Sequence, residues 1–186
     1  MGNIVFPKPV KLICSIISSQ ENIFSEALIC LMKAFGRVDF ESNYQAFDYT
    51  DYYQAEMGTN LKQKIVSFEK LISPDHLTQI KKETNQLEFE LSNDPKSVFS
   101  KEIKRKVNFD PGYLTLSKFV IASTKNGPAR IYLDGGIFAE IMLSYTNRSF
   151  RPLEWTYRNY QTELFLDFFN QVRKVYKDQI RQNNEK

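Results

Sequence analysis

The stretch Val10-Lys11-Leu12-Ile13-Cys14-Ser15-Ile16-Ile17-Ser18 constrains this chain more than any other. It is almost unbroken in apolar residues, with little of the polar alternation that marks a sheet with one wet face. Such a run reads as a central strand covered on both faces. Ser18 and Glu21 follow with capping-box spacing. Ile23, Phe24, Ala27, Leu28, Leu31, Met32 and Phe35 then recur at helical spacing, and Gly36 closes the helix.

The same reading continues along the chain. Arg37 to Phe40 resembles a second strand, and Leu61 to Leu71 alternates as a third. Ser73-Pro74 opens a helix with an apolar face at Leu77, Ile80, Leu87 and Leu91, and Asn93-Asp94-Pro95 ends it. Arg105 to Phe109 is a fourth strand. The order β-α-β-β-α-β is the ferredoxin-like pattern. The expected class is therefore α+β, a ferredoxin-like core with a C-terminal β-hairpin and helix extension, in a single domain spanning 1–186.

Asp110-Pro111-Gly112 is turn chemistry. The segment Leu114 to Ser123 stays open. A helix capped by Asp110 with Pro111 at its first position is the preferred reading, while Leu114, Leu116 and Val120 also show the period of a strand. Arg130 to Leu133 and Ile137 to Tyr145 form a hairpin around Asp134-Gly135-Gly136. Arg151 to Tyr160 is an aromatic loop. Thr162 caps a last helix with an inward stripe of Leu164, Phe165, Phe168, Phe169, Val172 and Tyr176.

Several function classes are left without support. The net charge of +3 is too small to argue for nucleic acid or membrane. The densest basic run, Lys101 to Lys106, reads as a solvated face or strand edge. No apolar stretch approaches the roughly 18 residues that span a bilayer, and the N-terminus lacks the apolar core of a signal peptide. The cytoplasm is the expected compartment. Cys14 and Cys30 read as reduced, buried hydrophobes. Neither a Walker-type phosphate loop nor a dinucleotide fingerprint is present, so the sequence names no cofactor. His76 is the sole histidine and reads as a surface residue in the first turn of a helix, which argues against zinc and against histidine dyads.

Chemistry-bearing residues concentrate in three segments. Phe47-Asp48-Tyr49-Thr50-Asp51-Tyr52-Tyr53-Gln54-Ala55-Glu56-Met57-Gly58 offers flat aromatic faces beside hydroxyls and carboxylates, suited to stacking a ring and accepting hydroxyl hydrogen bonds. Asn108 to Thr115, with Lys118, Thr124, Lys125 and Arg130, offers cations. Glu154 to Tyr160 holds the lone Trp155. The bland alternative is that the tyrosines nail a loop to the core and the cations pair with Asp110, Asp134 or Glu140. The sharper reading is that Thr50, Asp51, Tyr52, Tyr53, Glu56, Asp110, Tyr113, Lys118, Lys125 and Arg130 line one ligand-binding cleft.

These segments also carry a resemblance. Pro9-Val10-Lys11-Leu12, the Phe47–Tyr53 string with Glu56-Met57-Gly58, Ser67-Phe68-Glu69, Asn108 to Thr115, Thr124-Lys125, Arg130-Ile131-Tyr132-Leu133 and Trp155-Thr156-Tyr157 are similar to a bacterial family catalogued as domain of unknown function 4416. The resemblance covers roughly Pro9 to Phe169 and departs from the family pattern around Asn93 to Ile103. It implies a stand-alone bacterial cytoplasmic protein and brings no catalytic residues to carry over. Three readings follow: a binding module for a small anionic or polyhydroxylated ligand, an enzyme using carboxylate and lysine chemistry without histidine, or a protein-interaction scaffold without a ligand. Nucleic acid is a weaker partner, because no RNP1-like string occurs. Oligomeric state is left undetermined.

Overall fold

The computed structural model describes residues 2–50, 52–93 and 105–184. In chain order the elements are β1 (Val10–Ser18), α1 (Glu21–Phe35), β2 (Val38–Glu41), β3 (Gln45–Ala46), α2 (Gln54–Met57), β4 (Lys62–Ile72), α3 (Leu77–Ser92), β5 (Asn108–Leu114), β6 (Lys118–Ser123), β7 (Arg130–Asp134), β8 (Ile137–Thr146), β9 (Ser149–Pro152) and α4 (Glu163–Asn184). The nine strands form one sheet in the order β2-β4-β1-β5-β6-β8-β7, with β3 beside β4 and β9 beside β8. Every pairing is antiparallel.

All nine residues of β1 are buried, as its apolar run requires. Because strand side chains alternate between faces, Leu12, Cys14 and Ile16 meet Phe24, Ala27 and Leu31 of α1 and Ile80 of α3. Ile13 faces the other way and joins Phe165, Phe169 and Val172 of α4. The molecule is thus three layers: two helices, the sheet, and α4. Lys11 is the exception in the run. Its side chain is fully buried, its ammonium bonds Asp39 of β2 and donates to Gln179 of α4 at 2.9 Å, and burial pulls its pKa down against the opposing pull of Asp39.

Several expectations are corrected. No helix forms at Leu114–Ser123, and Asp110-Pro111-Gly112 is not a turn. β5 runs straight through those three residues, Thr115 to Ser117 make the turn, and β6 returns. The reason at Gly112 is proximity: a Cβ there would overlap the Val120 carbonyl oxygen and press on the Phe119 ring. The capping box is absent too. Ser18 is the last residue of β1, its hydroxyl donating to Lys106 O at 2.8 Å and accepting from Gln20 N, while Gln20 precedes α1 without a side-chain cap. Cys30 is only partly buried, on the flank of α1; Cys14 is buried, and both thiols are free. A hairpin at Asn147-Arg148 joins β8 to β9, both residues having positive φ. Sequence gave no sign of it, since an arginine there lacks the usual turn signature. Asp51, residues 94–104 and most of the basic run lie outside the described residues.

Candidate functional site

The sheet has a gap. β5 stays in register with β1 from Asn108 to Leu114, but pairs with β6 only from Gly112 to Leu114. β6 continues to Ser123 beside β8 alone. The ends of β5 and β6 therefore part, and the freed backbone groups of β5 need other partners. Helix α3 supplies them: Phe109 N donates to the Glu88 carboxylate at 2.6 Å, and Lys81 Nζ donates to Phe109 O at 2.7 Å. Pro111 lies two residues on, so its nitrogen turns toward the same gap, where the missing N–H leaves nothing unsatisfied.

A cleft of about 600 Å³ opens at this gap, with Asn108 and Asp110 on one margin and Ile121, Ala122 and Ser123 on the other. The Tyr-rich loop forms one wall. Phe47 anchors it in a small cluster with Ile17, Met57 and Leu61, leaving Tyr49 and Tyr52 exposed and Tyr53 half-buried. Across the mouth, the Lys125 ammonium stands 3.6 Å from the Tyr52 ring centroid, a cation–π contact joining two segments 73 positions apart in sequence.

The opposite wall is a bonded set. Arg130 Nε donates to Glu140 Oε2 at 2.9 Å, and its Nη1 donates to Lys125 O at 2.7 Å. Arg130 also donates to the Tyr157 hydroxyl, which in turn donates to Glu140 at 3.1 Å. Burial, helped by the Glu140 charge, pushes the Tyr157 phenol up to about 12, so it stays a neutral donor near neutrality. At the floor, Asp110 Oδ2 accepts from Asn108 at 2.8 Å and Oδ1 lies 3.9 Å from Lys81. Beneath them Glu88 binds Arg105 at 2.5 Å. Burial raises the Glu88 pKa in spite of Lys81 and Arg105.

Of the residues expected from sequence to share a site, Thr50, Tyr52, Tyr53, Asp110, Lys125 and Arg130 line this one cleft. Three do not. Glu56 lies beside it, 3.7 Å from Arg105. Tyr113 packs on the other face of the sheet against Leu77, Val120, Ala122 and Ile137. Lys118 starts β6 opposite Ser144, at the end away from the cleft. Sequence reading missed Lys81, Asn85 and Arg105; Asn108, Tyr157, Arg158 and Asn159 lay in its candidate segments but were left out of its site. One signal was present in α3: Lys81, Thr84, Glu88 and Ser92 are polar yet buried, on the side of the helix turned to the sheet.

Residues 8–176 match the family described as domain of unknown function (DUF4416). The chain belongs to the DUF4416 family. No curated protein and no solved structure matches it.

The charge balance of the cleft in this DUF4416 chain is uneven. Among the described lining residues, Lys81, Arg105, Lys125, Arg130 and Arg158 carry positive charge and Asp110 alone carries negative charge. Arg105 and Arg130 are tied to Glu88 and Glu140. Lys125 and Arg158 have no carboxylate partner among the described residues, and both adjoin the Arg130–Tyr157 pair. No three His, Cys, Asp or Glu side chains gather as a metal site among the described residues, and no helix there is long and apolar enough to cross a membrane.

Proposed function

We propose that this chain binds a small anionic ligand in the cleft between the Tyr-rich loop and the diverging ends of β5 and β6. The observation that carries the reading is the pair of cations without a carboxylate partner among the described residues, Lys125 and Arg158, both lining a half-apolar, half-polar cavity. A concave site of a few hundred Å³ with a few convergent polar groups is the usual form of a small-molecule site. Guanidinium and ammonium groups together suit phosphate or carboxylate. The candidate set is Thr50, Tyr52, Tyr53, Asp110, Lys125 and Arg130 from the sequence reading, with Lys81, Asn85, Arg158 and Tyr157 added. Asp51 remains in it on sequence grounds.

The wider reading is a stand-alone bacterial cytoplasmic protein of one domain, built on a ferredoxin-like core. The antiparallel order β2-β4-β1-β5, with α1 and α3 on one face, supports that core. The remaining five strands and α4 extend it.

The test is calorimetric titration with inorganic pyrophosphate and ribose 5-phosphate. Binding should weaken by about tenfold or more in Lys125→Ala and in Arg158→Ala, with denaturant midpoints unchanged because neither residue is buried. No binding by the wild type to either anion, or equal binding by the variants, refutes the reading.

A further inference from the structure

The cleft presents different chemistry at different depths. Its mouth holds the exposed cations Lys125 and Arg158 and the exposed Tyr52. Its interior is lined by the apolar Ile17, Phe47, Ile121 and Ala122, and by a polar set in which Asn108 and Asn159 are almost wholly buried. In that set Asn85 has no hydrogen-bond partner among the described residues, and Asp110 Oδ1 accepts none there, its nearest cation being Lys81 at 3.9 Å. A simple anion or sugar phosphate would satisfy the mouth and leave this interior unused. Asn85 and Asp110 are half-buried, so a ligand entering the cleft strips water from them and must bond them in its place.

We infer that the ligand is a nucleoside monophosphate, its phosphate at Lys125 and Arg158 and its base inside the cleft, reading Asp110 and Asn85. This rests on the anion-binding reading above and adds the base to it. The fit is chemical at each point. A base has flat apolar faces suited to Phe47, Tyr53 and the aliphatic floor. Its edge carries ring or amino N–H donors for a carboxylate and mixed donors and acceptors for an asparagine amide. The ribose joins the two ends, and the cavity of about 600 Å³ accommodates a ligand of that size.

Calorimetry with GMP, AMP, CMP, UMP, ribose 5-phosphate and guanosine separates this inference from the one beneath it. At least one nucleoside monophosphate should bind about tenfold or more tightly than ribose 5-phosphate. Asp110→Asn and Asn85→Ala should each remove most of that difference. Lys125→Ala should weaken both ligands together. If ribose 5-phosphate binds as tightly as every nucleotide, the base assignment is wrong and the anion site stands. If none of the phosphate compounds binds, both fail. If guanosine binds as tightly as GMP, the phosphate assignment is wrong. Two positions are probed from different elements, so an unfolded Asp110 variant still leaves Asn85→Ala to decide.

Discussion

The Glu88 carboxylate on α3 accepts the backbone N–H of Phe109 on β5 at 2.6 Å, in the place where a neighbouring strand would otherwise accept it. With Lys81 on the Phe109 carbonyl, two helix side chains substitute for a stretch of β6. The gap they support is the gap in which the cleft opens. The stability of this part of the sheet and the shape of the site therefore depend on the same pair.

Glu88→Ala should destabilise the fold by about 3 kcal/mol or more, the usual cost of removing one partner from a buried ion pair. It strands Phe109 N and frees Arg105, which among the described residues keeps only the exposed Glu56 as an acidic partner. Urea denaturation measures the loss. A midpoint within error of wild type would mean that Glu88 does not hold the β5 margin.

Glu88 also predicts a pH dependence. Burial keeps its proton on to a higher pH in the folded chain than in the unfolded one, outweighing Lys81 and Arg105. The folded state thus binds more protons, and stability from this group is full below the ordinary value of 4.5 and lost as pH rises through the folded pKa. Glu88→Gln lacks that loss. The stability difference, wild type minus Glu88→Gln, should fall as pH is raised from 4.5 toward neutrality. Parallel pH profiles for the two proteins would contradict it.

Gly112→Ala should cost about 1–3 kcal/mol by overpacking, because the added carbon meets the Val120 carbonyl and the Phe119 ring between β5 and β6. Backbone conformation is not the issue, since Gly112 has no positive φ. A neutral result would show that the two strands can separate further at no cost.

Phe169→Ala should cost about 3–5 kcal/mol. The ring is fully buried and packs on Phe119, with its centroid 4.4 Å away, and on Phe150, Tyr160 and Phe168. Thermal or urea unfolding tests this, and an unchanged midpoint would mean that α4 does not close the second face of the sheet.

The two thiols should differ in reactivity. Cys14 is buried within β1 and burial pushes its pKa well up, so little thiolate forms. Cys30 is partly exposed. A thiol reagent should label Cys30 well before Cys14 in the native protein. Equal rates would place Cys14 outside the core.

Much of the fold was legible because its signals are local. The apolar run of β1, the stripes of α1 and α4, and the Asp134-Gly135-Gly136 hairpin are each written within a few residues, since burial on a periodic element imposes its period on the sequence. The grouping of Thr50, Tyr52 and Tyr53 with Asp110, Lys125 and Arg130 followed from residue chemistry alone, as two irregular segments rich in complementary groups. Other features were decided only by tertiary structure. Asp110-Pro111-Gly112 is strand and not turn because β1 pairs with all three residues while α3 satisfies the edge at Phe109 that β6 leaves, an arrangement that depends on residues more than twenty positions away. Lys81, Asn85 and Glu88 enter the site because the strands part and let one side of α3 reach the gap. Tyr113 leaves it because alternation along β5 sends its ring to the opposite face from Asp110. Sequence specifies the period of an element and the chemistry of its side chains. Which strand lies beside which, and where the sheet opens, is set by packing between distant segments, and that opening made the cleft.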